Sequence, residues 1–394
     1  MLLPRIERVT KNLTFVHFLL MFGYKLFSLY FPLFLVLRGF SLPQVGWIYF
    51  LIYFPLAFFS PIAGFLNHKI NSTYLIALAS LGYAFYALGM ILFLNPFFFY
   101  LCQILLGISA ALFFVSARTI LISSNLKNYD QSFGWFYSAP FYADALAPVV
   151  GAFLIWKFNF LGVFLVSLFL QIFCALFSFF QLRNFRTDFE NQKINLQILK
   201  ENYQKSFIVL KKKAVFPLVL ISFLVLFLAG FFRAFFVLFL KDELFWSQNL
   251  ILFFVSLSSF LFLPISLFVI KNLAKWETEK SIYQGALITG FFSVLFGVFA
   301  PVLSFLSTLL INLGKWTGSL ICNSGRSGLV SKKLKREPEE AGAIDTIFAP
   351  LGGALGAFVS GILIKFLGYQ ILFILGGIFI IGITLFLKVI FKRV

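Results

Sequence analysis

Acidic residues are scarce. Asp and Glu together number 14 in 394 residues, with two histidines, three cysteines and three methionines, and charged residues of all kinds make up only 12%. A soluble globular chain carries roughly 25% charge, so an aqueous fold with an ordinary charged surface is excluded. Little is left from which to build a reactive centre. There is no Cys/His cluster, no Walker loop and no Gly-x-Ser-x-Gly, and His17 and His68 fall at predicted depths away from any useful acid. No catalytic residue, metal or cofactor is therefore expected, and no ATP-binding segment is present to power a pump. Cys102, Cys174 and Cys322 all lie in apolar runs, which implies no disulfide framework.

Apolar residues fill the gap. They make up 61% of the chain, and phenylalanine alone accounts for 60 positions, more aromatic surface than one aqueous core could hide. The runs are about 20 residues or longer, the length of a transmembrane helix and not of a barrel strand. The fold class read from this is all-α, a polytopic membrane protein. Twelve spans are expected, at residues 13–37, 43–66, 73–94, 97–123, 133–156, 160–182, 215–240, 247–270, 281–300, 302–330, 342–364 and 369–388. Pro43, Pro96 and Pro301, with Gly162 and Gly368, punctuate the breaks. The run at 13–37 is too long for the apolar core of a signal peptide and has no small-residue cleavage site after it, so it reads as the first span.

The net charge of +18 would suit nucleic acid if it formed a face. Instead the basic residues gather in the short breaks. Breaks on the side shared by both termini hold 23 Lys and Arg, and the opposite breaks hold four, Arg38, Lys157, Lys241 and Lys365. That asymmetry places both termini in the cytoplasm and makes the partner a lipid bilayer, not nucleic acid. One break stands apart. Residues 183–214 are long, polar and basic, and divide the chain into an N-terminal six-helix bundle (1–182) and a C-terminal one (215–394). Leu196, Leu199, Tyr203, Phe207 and Leu210 in this linker follow helical spacing, consistent with an amphipathic helix on the membrane surface or with a plain solvated linker.

The halves echo each other. "SARTILISSNLK" at 116–127 aligns with "SGRSGLVSKKLK" at 324–335, and "PIAGF" at 61–65 with "PISLF" at 264–268. Both matches pair equivalent spans, the mark of a six-plus-six repeat with a solute site near the midplane. On these features the chain resembles the major facilitator superfamily, and worn versions of that family's motifs are present. "GFLNHKINS" after the second span keeps Gly64, Leu66 and Lys69, with His68 where the family has aspartate and Asn71, a residue tolerant of left-handed turns, where it has glycine. "QILLGISAA" in the fourth span keeps Gly107, Ala110 and Ala111, with Gln103 in place of an arginine associated with proton coupling. Gly134, Ala143, Ala147, Pro148, Gly151 and Ala152 fall at the spacings of a helix-packing motif found in many exporters of the family, alanine replacing three glycines.

Five basic residues lie inside spans: Lys25, Arg118, Arg233, Lys315 and Arg326. A charge at mid-helix costs about 2.5–3.5 kcal/mol on insertion scales, and Lys25 is too central to reach either interface. Asp144 is the one acid placed mid-span, and it is the expected partner, in an ion pair that is either structural or opened by solute or proton binding. Ser304, Thr308, Asn312, Lys315, Ser319, Cys322 and Arg326 form a polar stripe along the tenth span, suited to lining water or to bonding a neighbouring helix. The resemblance implies that spans one, four, seven and ten line a central cavity. The candidate solute-binding residues are accordingly Lys25, Gln103, Arg233, Asn312, Lys315 and Ser319. Asp144 is the candidate proton site, and Lys69, Arg118, Arg326 and Asp345 are the candidate cytoplasmic gate. The expected protein is a monomeric secondary transporter of the cytoplasmic membrane, working by alternating access on a small solute, an exporter with proton coupling. Excess positive charge favours an organic anion. An amphipathic drug-like solute held by phenylalanine is the alternative, and a membrane enzyme or lipid-handling protein is the reading from another class.

Overall fold

The computed structural model describes residues 7–67, 69–92, 95–124, 129–182, 204, 208, 215–273, 276–333 and 338–391. Among these the chain forms eleven α-helices: α1 (Arg8–Ser28), α2 (Phe31–Leu37), α3 (Leu42–Asn67), α4 (Ser72–Leu92), α5 (Pro96–Ser123), α6 (Tyr129–Leu182), α7 (Phe216–Asp242), α8 (Gln248–Leu273), α9 (Thr278–Val298), α10 (Phe305–Lys333) and α11 (Pro338–Phe391). The linker residues Leu196, Leu199, Tyr203, Phe207 and Leu210 lie outside the described residues, as does His68.

Local chemistry fixes several helix starts. Asn95 accepts a hydrogen bond from the Phe97 amide at 2.9 Å while Pro96 occupies the first turn of α5, where its missing N–H costs nothing. Asn71 does the same for α4, accepting from the Thr73 amide at 2.9 Å. It is therefore a capping residue and not the left-handed turn residue that the motif alignment suggests, since Asn159 and Phe245 are the described non-glycine residues with positive φ.

The helix count differs from twelve separate spans for reasons visible in the backbone. The expected first span is bent by 44° between α1 and α2. The expected spans 133–156 and 160–182 run together as the 54 residues of α6, interrupted at Asn159 (φ 57°, ψ −167°) and not at Gly162. The last two spans run together as the 54 residues of α11, interrupted at Gly368 (φ 71°, ψ 174°). One residue with positive φ and extended ψ breaks the helix axis; glycine adopts this conformation freely, whereas Asn159 adopts it at a backbone cost. Fifty-four helical residues would measure about 81 Å, more than twice the roughly 30 Å of a hydrocarbon core. Among the described residues, eight helices are long and apolar enough to cross a membrane, or nine if the bent pair counts as one span. The 29-residue α10 misses that measure although it is long enough, because its polar stripe lowers its hydropathy.

The chain divides into two compact units. The first comprises Met1–Leu29 and Phe54–Ile194, the second Tyr30–Tyr53 and Asn195–Val394. In the first unit α1 packs on α6, and α4 packs on α5 and α6. The Gln171 amide donates to the Leu20 carbonyl at 2.8 Å, which ties α1 to the part of α6 beyond its break. On the part before the break, Gly151 approaches the Leu26 carbonyl so closely that a Cβ there would overlap it. Ala143, Ala147 and Pro148 are buried on the same stretch of α6. In the second unit α7 packs on α11, and α9 on α10 and α11. Gly356 meets the Phe227 carbonyl as Gly151 meets that of Leu26, and Gly285 and Gly318 seat α10 against α9. The start of α3 joins this unit through Gly46, whose neighbours are Ala357 and Gly361 of α11. Tyr30 joins it through its hydroxyl, 2.9 Å from the Ser256 hydroxyl on α8.

These backbone approaches leave no room for side chains. Gly151→Val is expected to lower the melting temperature of the detergent-solubilised protein by several degrees or abolish folding, since overpacking costs about 1–3 kcal/mol or more. Gly382→Ala, where a Cβ meets nothing within 4 Å, is expected to leave it unchanged or slightly raised. Equal effects of the two, read by fluorescence-detected melting, would contradict the packing described.

Candidate functional site

In the first unit Lys25 of α1 and Asp144 of α6 meet: Nζ lies 2.6 Å from Oδ1. Neither is sealed in, since 22% of the lysine side chain and 41% of the aspartate side chain remain exposed. The pair thus sits at the edge of the packed unit, where an ion pair exchanges readily with other partners. Two turns earlier on each helix the packing closes. His17, eight residues before Lys25, is buried, with Nδ1 2.9 Å from the Phe136 carbonyl and its ring stacked on Phe136 at 4.4 Å and flanked by Phe113 and Phe114. This aromatic box fixes the register of α1 against α6 and so aims Lys25 at Asp144.

Gln103 is buried on α5. It donates to the Phe99 carbonyl of its own helix at 3.1 Å and lies 3.8 Å from the Met90 sulfur of α4, so it is enclosed between those two helices. Arg118 lies over the Tyr137 ring at 5.6 Å and Lys69 over the Phe65 ring at 4.7 Å. Gly134 lies on α6 and Asp345 on α11.

In the second unit the polar stripe of α10 points into protein. Thr308, Asn312, Lys315, Cys322 and Arg326 are buried, Ser319 is half-buried and Ser304 is exposed. Part of the stripe is satisfied locally: Thr308 donates to the Ser304 carbonyl at 2.7 Å, and the Cys322 thiol contacts the Ser222 hydroxyl of α7 at 3.9 Å. Lys315 is different. It is 5% exposed, and no carboxylate among the described residues pairs with it. Its Nζ rests 3.4 Å from the centroid of the Phe232 ring and 5.4 Å from that of Phe236, both on α7. Phe232 is held in place from α11, stacked on Phe373 at 4.5 Å. An ammonium on an aromatic face gains about 2 kcal/mol or more when desolvated, which offsets only part of the cost of burying an unpaired charge. Arg233, the next residue along α7, is exposed, lies over the Tyr53 ring at 5.0 Å and falls within electrostatic reach of Lys315. Two like charges are thus held near one another on apolar and aromatic supports, an arrangement that attracts an anion.

Sequence reasoning does not single out Phe232, which is one phenylalanine among 60. Nor does it single out Ser258 of α8, which is wholly buried with no hydrogen-bond partner among the described residues. Adjacent aromatic rings at the spacing of Phe232 and Phe236 carry no signal of their own in so aromatic a chain.

Comparison with known proteins bears on the whole architecture. Among solved structures, a POT family transporter in complex with 5-aminolevulinic acid superposes with a TM-score of 0.79 at 15% identity, covering 98% of this chain and 96% of the other. The nucleoside transporter NupG superposes with a TM-score of 0.76 at 13% identity, covering 98% and 99%. At such identities the likeness is one of fold. No curated protein sequence matches the chain. The profile of the Major Facilitator Superfamily, however, matches residues 13–337. The chain belongs to the major facilitator superfamily, a multi-pass membrane transporter and not an enzyme.

Proposed function

We propose that this transporter is a secondary exporter of a small organic anion, working by alternating access across the cytoplasmic membrane with both termini inside. The observation that carries the anion reading is Lys315, buried on Phe232 without an acidic partner among the described residues, beside Arg233. The positive charge of the chain's short breaks supports the orientation. Twelve spans in two halves, 1–182 and 215–394, are supported by the packing recurring in each unit: α1 on α6, α4 on α6 and α4 on α5 correspond to α7 on α11, α9 on α11 and α9 on α10. The proposed solute residues are Arg233, Asn312, Lys315 and Ser319, together with Lys25 beside Asp144 and with Gln103, which is enclosed between α4 and α5. Lys69, Arg118, Arg326 and Asp345 are proposed for the cytoplasmic side. The efflux direction rests on the spacing of Gly134, Ala143, Ala147, Pro148 and Gly151, and a monomer suffices for the mechanism.

Asp144 is the proposed proton site. Its carboxylate is held by Lys25 alone among the described salt bridges and remains partly exposed, so a proton can compete with the lysine for it. The phenylalanine-rich walls keep an amphipathic drug-like solute as the second reading.

Two measurements separate these proposals. In a thermal-shift panel in detergent, organic carboxylates and phosphate esters are expected to stabilise the wild type and to fail on Lys315→Gln, whose unliganded melting temperature stays close to that of the wild type. Stabilisation by hydrophobic cations alone would replace the anion reading with the drug-like one. In vesicles energised by a pH gradient, Asp144→Asn is expected to abolish gradient-driven accumulation while counterflow exchange persists. Gradient-driven transport at the wild-type rate in that variant would remove Asp144 from the coupling mechanism.

A further inference from the structure

Beside Lys315 lies Asn312, to which the anion reading gives a place at the solute but no chemistry. Asn312 is 1% exposed, and neither its amide nitrogen nor its amide oxygen has a hydrogen-bond partner among the described residues. Ser258 is wholly buried with its hydroxyl in the same condition. Each orphaned polar group of this kind costs about 1–3 kcal/mol.

The register of α8 and α10 brings the two residues to one level. Phe254, Ser258 and Phe262 recur every four residues on one stripe of α8. Phe254 meets Phe305 at 5.4 Å between ring centroids, and Phe262 meets Trp316 at 5.3 Å. Phe305, Leu309, Asn312 and Trp316 in turn form one stripe of α10, at spacings of four, three and four residues. The facing stripes are therefore pinned above and below by ring contacts, and Ser258 and Asn312 occupy the interval between them. Lys315 stands one turn further along α10, about 4.5 Å in rise, turned towards α7. The Phe236 ring of α7 neighbours both, with its centroid 5.4 Å from the Lys315 ammonium and 6.1 Å from that of Phe254.

The geometry points to a polar subsite at the meeting of α7, α8 and α10 that selects hydroxylated organic anions: Lys315 takes the anionic group, while Asn312 and Ser258 bond a hydroxyl of the same solute. The inference rests on the anion reading above and narrows it. Asn312 both donates and accepts, and so does Ser258. Their best complement also does both, which a hydroxyl satisfies and an alkyl chain cannot. A site built to bond a hydroxyl rejects the analogue lacking it far more strongly than a greasy pocket rejects an added one, because the orphaned groups then stay unpaired.

The test uses the full-length protein in detergent and two matched pairs of probes, malate against succinate and glycerol 3-phosphate against propyl phosphate, with calorimetric binding. For at least one pair the hydroxylated member is expected to bind wild type about tenfold tighter or better. In Asn312→Leu, and separately in the milder Ser258→Ala, this preference should fall to about twofold or less while the unhydroxylated member keeps its wild-type affinity. The unliganded melting temperature of Asn312→Leu should hold or rise, because a buried orphan amide has been removed. Lys315→Gln should lose both members of the pair. Equal binding of both members by wild type would overturn the subsite and leave the anion reading standing, and so would preference surviving in both α10 and α8 variants. Failure of every acid to bind wild type would overturn both.

Discussion

A charged or hydrogen-bonding group inside a membrane span has only protein to turn to, and this chain answers that constraint differently in its two units. In the first, the lysine of α1 is met by Asp144 of α6, and the aromatic box around His17 sets the register that lets them meet. In the second, the lysine of α10 is met by the face of a phenylalanine that is itself stacked from behind. The first solution neutralises the charge; the second shelters it without cancelling it. A cation sheltered but not cancelled retains most of its attraction for an anion, since its aromatic support offsets about 2 kcal/mol against a burial cost of several. On the proposed anion reading, that shortfall is the part of the energy left for a solute to supply.

The supporting architecture is built to keep such groups in place without adding polar surface of its own. Helices approach through glycine and alanine, at Gly151 against Leu26 in one unit and at Gly356 against Phe227 in the other, because close backbone contact is the main source of helix–helix attraction in lipid. The phenylalanines then fill the remaining volume, and those of α7 gather around Phe296 and Phe373. This packing leaves the polar stripe of α10 facing protein, which is why α10 can be too polar to register as a membrane helix and still belong to the bundle.

Much of this is legible in the sequence, because helix length and hydropathy are properties of local composition. Lys25 and Asp144 could be paired on paper because each is nearly alone of its kind at mid-span. The breaks were harder. Gly162 is the conventional helix breaker near the middle of α6, yet the chain turns at Asn159, in a positive-φ, extended-ψ conformation that residue type alone would not have announced. The bend between α1 and α2 falls just before Pro32, which occupies the first turn of α2, a breaker outweighed on paper by the length of the apolar run around it. Asn71 aligned with a turn glycine but acts as a cap, since a side-chain oxygen two residues before Thr73 suits an amide more than a turn requires a positive φ. Phe232 and Ser258 were illegible for a different reason: their meaning lies in what faces them from another helix, and neither phenylalanine nor serine is rare enough here to draw notice.

The central claim is that Lys315 is kept in the membrane for an anionic solute and not for the fold. Counterflow in proteoliposomes preloaded with a mixture of organic acids tests it most directly, because exchange needs neither a gradient nor knowledge of the coupling ion. The account predicts accumulation of at least one labelled acid by wild type, and none by Lys315→Gln reconstituted to the same density and folded by its melting curve. Accumulation of the same acid by that variant at the wild-type rate would contradict it.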